Sequence, residues 1–158
     1  LVFGEPLYSV KTVALMLAND TADFSSLDDL KRFGPGRGAV LTVWGTATAA
    51  ILKSMHGLAV DDSAKTVEDA IHKLAIGRGR VLIYHNLSLV HVLKTSAYAE
   101  RLKIVAVNYG NSCLLSDARQ YVVFSNKTDP QIVRRINRAI LESRADGELE
   151  RITSKYLN

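Results

Sequence analysis

One cysteine, Cys113, stands in 158 residues. No internal disulfide can form, and no second Cys or nearby His gives the spacing of a structural zinc site. Long apolar runs are missing too: Lys, His, Asp or Gly interrupts each one well short of the roughly 18 residues a membrane-spanning helix needs. The chain opens at Leu1 without Met, and Leu1 to Tyr8 has neither the basic start nor the apolar run of a signal peptide. A mature, trimmed or partial chain is the expectation.

Motifs for common chemistries are also absent. His56, His72, His85 and His91 fall at no metal-binding spacing. No nucleophile motif surrounds Cys113 or any Ser. Gly34-Pro35-Gly36-Arg37-Gly38 lacks the Lys-Ser/Thr ending of a nucleotide P-loop, and Gly77-Arg78-Gly79-Arg80 is too short for an RNA-binding repeat. The expectation is a protein without cofactor or metal that is not an enzyme. Charge of one sign is not concentrated: 20 Lys and Arg are dispersed among 16 Asp and Glu, which reads as a solvated surface and not as a nucleic-acid interface.

What is present is a globular composition, 47% hydrophobic and 23% charged, with enough chain for a core. Val13–Leu17 reads as a strand closed by a turn at Asn19-Asp20. Ser26 can cap a short helix from Leu27 to about Phe33, with Asp28 and Asp29 in its first turn. Ala39–Val43 reads as a buried strand running into Gly45-Thr46, and Ala47–Met55 as a helix stopped at Gly57. The unit repeats: a short strand at Ala59-Val60, a capping-box-like Thr66-Val67-Glu68-Asp69, an apolar stripe of Ala70, Ile71, Leu74 and Ala75, and a strand at Val81–Tyr84. Leu87–Leu93 reads as a helix entered through Asn86 or Ser88, Ile104–Val107 as a strand, and Tyr121–Phe124 as another. Asp129-Pro130 opens a helix in which Ile132, Val133, Ile136, Ile140 and Leu141 share a face, and a last helix follows Gly147 with Leu149, Ile152, Tyr156 and Leu157. Alternating strands and helices predict an α/β fold of parallel βαβ units covered on both faces.

Parallel sheets bind ligands beyond the carboxyl ends of their strands, where helix N-termini offer free N–H groups. Two turns qualify. In Trp44-Gly45-Thr46-Ala47-Thr48 the glycine allows close backbone approach, two hydroxyls can donate, and the helix aims its amides outward. Thr46 serves there either as a simple cap or as a ligand contact, and Trp44 either packs or stacks on a flat ligand. In Tyr84-His85-Asn86, His85 can donate or accept by tautomer, or it is a surface residue beside a capping Asn86.

The order of four stretches then carries a resemblance. Phe3-Gly4-Glu5-Pro6-Leu7-Tyr8 looks like a Phe-Ser-x-Pro-Tyr segment; Leu27-Asp28-Asp29-Leu30 with Val40 to Thr46 looks like an Asp-Leu, loop, strand, Gly-Thr passage. Ala70 to Tyr84 is similar to a helix, Gly-Arg, strand passage, and Asn126 to Leu157 to a characteristic tail with Ile136-Asn137-Arg138-Ala139-Ile140, Asp146-Gly147, Ile152 and Lys155-Tyr156. Across nearly the whole chain this resembles the family 3 bacterial extracellular solute-binding proteins, periplasmic receptors that feed amino acids and related solutes to ABC importers.

The resemblance implies the type 2 periplasmic-binding fold, with one complete lobe and part of a second. Residues 1–17 would be a remnant of lobe 1 and a first crossing strand, 18–119 lobe 2, and 120–158 a second crossing strand and helices returning to lobe 1. It implies a periplasmic protein that holds a small solute between two lobes for a membrane permease, with Tyr8, Trp44, Thr46, Ala47, Thr48, His85 and Asn86 as ligand contacts. Two departures shape the expectation. The family's first half-lobe, with its carboxylate-clamping arginine, has no counterpart here, so a partner chain, a homodimer included, would cover the tail helices. His85 stands where amino-acid binders carry an Asp for the ligand's ammonium, which points to a different small polar or anionic solute. The alternatives are a ligand-sensing domain of a signalling or regulatory protein and a cyclohexadienyl-dehydratase-like enzyme, for which His85 and Glu5 are the visible acid and base candidates.

Overall fold

The computed structural model describes residues 1–109 and 118–157; Cys113 lies outside them. The chain divides into two units, Lys11–Ser116 and Leu1–Val10 with Asp117–Asn158. Val13–Leu17, expected to cross between lobes, falls in the larger unit, where it forms part of a core strand.

That unit holds a sheet of five strands. They are β2 (Thr12–Leu17), β3 (Val40–Val43), β4 (Val60–Ala64), β5 (Val81–His85) and β6 (Leu102–Val105), in the order β4-β3-β5-β2-β6. β3 pairs parallel with β4 and β5. β2 runs antiparallel to both β5 and β6, so the sheet is mixed where parallel units throughout were expected. An apolar run buried on both faces reads the same in either direction, which is why the Val13–Leu17 pattern did not disclose its sense.

Helices α1 (Leu27–Leu30), α2 (Ala47–Ser54), α3 (Val67–Ala75) and α4 (Asn86–Thr95) cover the sheet. One core layer packs Leu15, Leu41, Val43 and Leu82 under Ile71, Leu74 and Leu89 of α3 and α4. The other packs Ala14, Val40, Val81 and Ile83 under Leu27, Leu30 and Leu52 of α1 and α2. Successive strand residues alternate between the layers, as a pleated strand requires, and each large side chain fully removed from water contributes roughly 1.5–3 kcal/mol.

The caps behave as their side chains dictate. Ser26 and Asp29 close a full capping box on α1, with Asp29 Oδ2 accepting from the Ser25 and Ser26 amides at 2.9 Å each. Those bonds hold the Asp29 carboxyl down at about 2. On α3 only half of the expected box forms: Thr66 Oγ1 accepts from the Asp69 amide at 3.1 Å, and Asp69 does not return the bond. β4 extends further than its two apolar residues suggested, taking in Asp61, Asp62 and Ser63; as an edge strand it can carry charge outward.

In the smaller unit, β1 (Val2–Val10) pairs antiparallel with β7 (Ala118–Phe124), with register irregularities around Pro6. Helices α5 (Pro130–Ala145) and α6 (Glu148–Leu157) complete it. Gly4 is required: an added Cβ would fall 2.6 Å from Asn137 Oδ1 and 2.7 Å from the Phe124 ring. That same Asn137 oxygen accepts the Glu5 amide at 2.9 Å, and the Arg144 guanidinium donates to the Pro6 carbonyl. The inner stripe of α5 is consequently Val133, Asn137 and Ile140. Ile132, Ile136 and Leu141, expected on one face with them, are exposed, as are Ile152 and Tyr156 of α6.

Among the described residues of the larger unit, four buried side-chain atoms have no hydrogen-bond partner: Thr42 Oγ1, Arg80 Nε, His85 Nδ1 and Tyr109 Oη. Thr42 in β3 is fully buried, and its Oγ1 meets no hydrogen-bond partner. Thr42→Val keeps the branched shape and removes the orphan hydroxyl, so it is expected to raise the unfolding free energy by about 1 kcal/mol, read from the urea midpoint.

Candidate functional site

β3 and β5 lie side by side and in step, Val40 opposite Val81 and Leu41 opposite Leu82. On the other flank of β3, Val43 stands opposite Ala64, and the Trp44 amide donates to the Ala64 carbonyl at 2.8 Å. The turns after β4, β3 and β5 therefore share one edge of the sheet at steps of about 4.8 Å. The start of β2 joins them, since Thr12 is opposite His85. Both predicted turns are thus brought to the same edge. Tyr8 belongs to the smaller unit.

Gly45 creates the exit from β3. Its φ of +72° with open space around it turns the chain sharply so that α2 starts at once, and only glycine takes that conformation without strain. Thr46 is the cap: Oγ1 accepts from the Ala49 amide at 3.2 Å and donates to the Val43 carbonyl at 2.8 Å. Its proton is already used within the turn. The groups left free for a ligand are the amides of Ala47 and Thr48, in the first helical turn where no carbonyl lies four residues back, and the Thr48 hydroxyl, which makes no bond to a described residue. Trp44 projects, 64% exposed, with Lys65 Nζ 5.8 Å from its ring centroid.

At the second turn His85 is half-buried, its ring 4.1 Å from that of Tyr84. Ser88 Oγ lies 3.5 Å from its Nε2, and Nδ1 is buried without a partner. Burial pushes the imidazole below its ordinary 6.5, so the ring is neutral at neutral pH. Asn86 acts as a clamp. Its Oδ1 accepts the Lys11 amide at 3.0 Å and its own amide donates to the Lys11 carbonyl at 2.7 Å, fixing the start of β2 against α4.

Sequence reasoning missed the cations of this edge. Lys11 precedes β2 and Lys65 follows β4, both exposed; Lys65 escaped notice because β4 was read as ending at Val60. Residues 11–12, 44–48, 65–66 and 85–86 contain two lysines and no carboxylate. Of the nearest acids along the chain, Asp62 pairs with Lys53 at 2.9 Å, and Glu68 and Asp69 on α3 line a groove with Val92, Thr95 and Tyr98 of the α4 side. The edge can thus present amide N–H groups, ammonium charge and a neutral imidazole to an electron-rich ligand. Among the described residues no cluster of three or more His, Cys, Asp or Glu could hold a metal ion.

No protein-family model and no curated protein matches the sequence. The fold, by contrast, has many counterparts. An amino acid ABC transporter substrate-binding protein, AbpA from Streptococcus pneumoniae, bound to L-arginine, superposes with TM-score 0.79 at 16% identity over 99% of this chain and 60% of its own. The GluR0 ligand-binding core in complex with L-glutamate gives 0.76 at 18% identity over 99% and 64%. An ancestral amino-acid-binding protein, AncCDT-1, described as a precursor of cyclohexadienyl dehydratase, gives 0.75 at 14% over 99% and 60%. The chain thus has the fold of these proteins and spans between 60% and 64% of their lengths.

Two outcomes follow for the site. Thr46→Val removes the α2 cap and is expected to lower stability by about 1 kcal/mol, with Thr46→Ser close to the parent in the same urea titration. His85 has a folded pKa below its unfolded value, so the unfolded chain binds the extra proton first as pH drops. Stability is therefore expected to fall on acidification below about 6.5 and down to the depressed folded value, and His85→Gln to flatten that part of the pH profile.

Proposed function

We propose that this chain, with its type 2 periplasmic-binding fold, works as an extracytoplasmic, periplasmic solute-binding protein that captures a small polar or anionic solute for the permease of an ABC importer. The observation that carries the reading is the in-step placement of the β3 and β5 turns, which gathers the Ala47 and Thr48 amides, the Thr48 hydroxyl and His85 at one sheet edge. An acceptor group of the solute is held by the α2 amides, where the helix dipole favours negative charge by roughly 0.3–1 kcal/mol. His85 orients the other end through a neutral ring, and Asn86 keeps the turn in place through Lys11. Amino-acid-sized ligands in AbpA and GluR0 support the size class.

GluR0, a receptor ligand-binding core, also favours a second reading in which the same unit senses a solute and does not deliver it. The dehydratase precursor prompts an enzymic reading. Binding without turnover and with turnover separate cleanly: the solute is recovered unchanged in one case and converted in the other.

The single tryptophan, Trp44, stands at the site and reports on it. Titration with a panel of small polar and anionic solutes is expected to change Trp44 fluorescence with at least one, recovered intact by mass spectrometry. Thr48→Val is expected to weaken that solute about tenfold with the urea midpoint unmoved. Unchanged affinity in that variant would displace the site from this edge.

A further inference from the structure

Beside the two turns lies a recess of about 350 Å³ lined by Lys11, Thr12, Val13, Val105, Val107 and Tyr109, with Ala106 and Asn108. Its volume is in the range of small-molecule sites. The β2 register puts it one strand from His85, since Thr12 and His85 are direct partners. The valines give it apolar walls. Lys11 gives it a cation whose backbone is pinned on both its N–H and C=O by Asn86, so the stem of that side chain starts from a fixed point. Tyr109 lines it too, its Oη buried with no hydrogen-bond partner among the described residues. Burial raises that phenol well above its ordinary pKa, leaving an O–H to donate. A buried hydroxyl without a partner is costly to the fold.

We infer that the solute of this edge is an organic anion with an apolar body and no ammonium group, its body in the Val13, Val105 and Val107 recess and its charge against Lys11. The inference rests on the proposed reading that this edge binds a solute, and deepens it by naming the class. A carboxylate against Lys11 stands on the edge that also carries the free α2 amides, two strands away, and Lys65, three strands away. An ammonium finds two lysines there and no carboxylate in the turns, an arrangement that repels it. The apolar walls reward a hydrocarbon or aromatic body over a fully polar one.

Calorimetric titration of the whole chain with three probes of one shape tests this: benzoate, its neutral counterpart benzamide, and L-phenylalanine, which adds an ammonium to a similar ring. Benzoate is expected to bind about tenfold tighter than either, the worth of one charge-assisted contact. Lys11→Gln is expected to erase that preference. Tyr109→Phe, which removes an orphan hydroxyl from the fold, is expected to raise the urea midpoint and to leave the preference for benzoate in place. Binding of L-phenylalanine as tight as benzoate, absence of benzoate binding at millimolar concentration, or a Lys11→Gln variant with benzoate affinity unchanged would each overturn the inference. If amino acids bind and Thr48→Val weakens them, the inference alone fails and solute binding stands. If neither these probes nor any member of the wider panel binds, both fail.

Discussion

The placement of the candidate site in the larger unit depends on β2. Ala14, Leu15 and Met16 are almost wholly removed from water, and the strand is the seam between β5 and β6. Its burial on both faces fixes the rotation of the sheet, and its first residues set the height of the edge. Lys11 and Asn86 lock that height by exchanging two hydrogen bonds. Remove the seam and β6, with Tyr109 beyond it, loses the strand it pairs with, while the β5 turn loses the strand that backs it.

Polar side chains in the turns divide between those that hold the edge and those that make no bond to a described residue. Thr46 and Asn86 are the residues a motif reading selects first, and both spend their hydrogen bonds on the fold. What remains is backbone and less conspicuous: two amides opened by the positive φ of Gly45, the Thr48 hydroxyl, and two lysines. Recognition of this kind suits a small electron-rich solute, since amides and ammonium groups donate and cannot accept.

The helices and most strands were legible because their signals are local. Ser26 with Asp29, Thr46 ahead of an alanine-rich run, and the Ala70, Ile71, Leu74, Ala75 stripe each state an element within a few residues. The sense of β2 was not legible, since direction depends on partners some 70 to 90 residues away. β1 was hidden by Pro6 and Gly4, which argue against a regular strand and are accommodated by register shifts and by Asn137. Of the site, both turns were readable from glycine and capping residues, and Lys65 and the Tyr109 recess were not. Lys65 follows three polar residues in a strand that shows no alternation, and the recess exists only where β2 and β6 come together.

The antiparallel seam also bears on how the larger unit comes into being. β2 is the first strand of its sheet in the chain, yet its partners are β5 and β6, and Thr12 waits for His85 just as Leu17 waits for Leu102. During synthesis an apolar strand with no neighbour must stay unpaired while β3, β4 and their helices emerge. Closing loops of that length before any contact rewards them makes for slow assembly, and the exposed strand is in that interval a template for the wrong edge. A chain built this way gains from a chaperone, or from a delay in folding that lasts until β6 has been made.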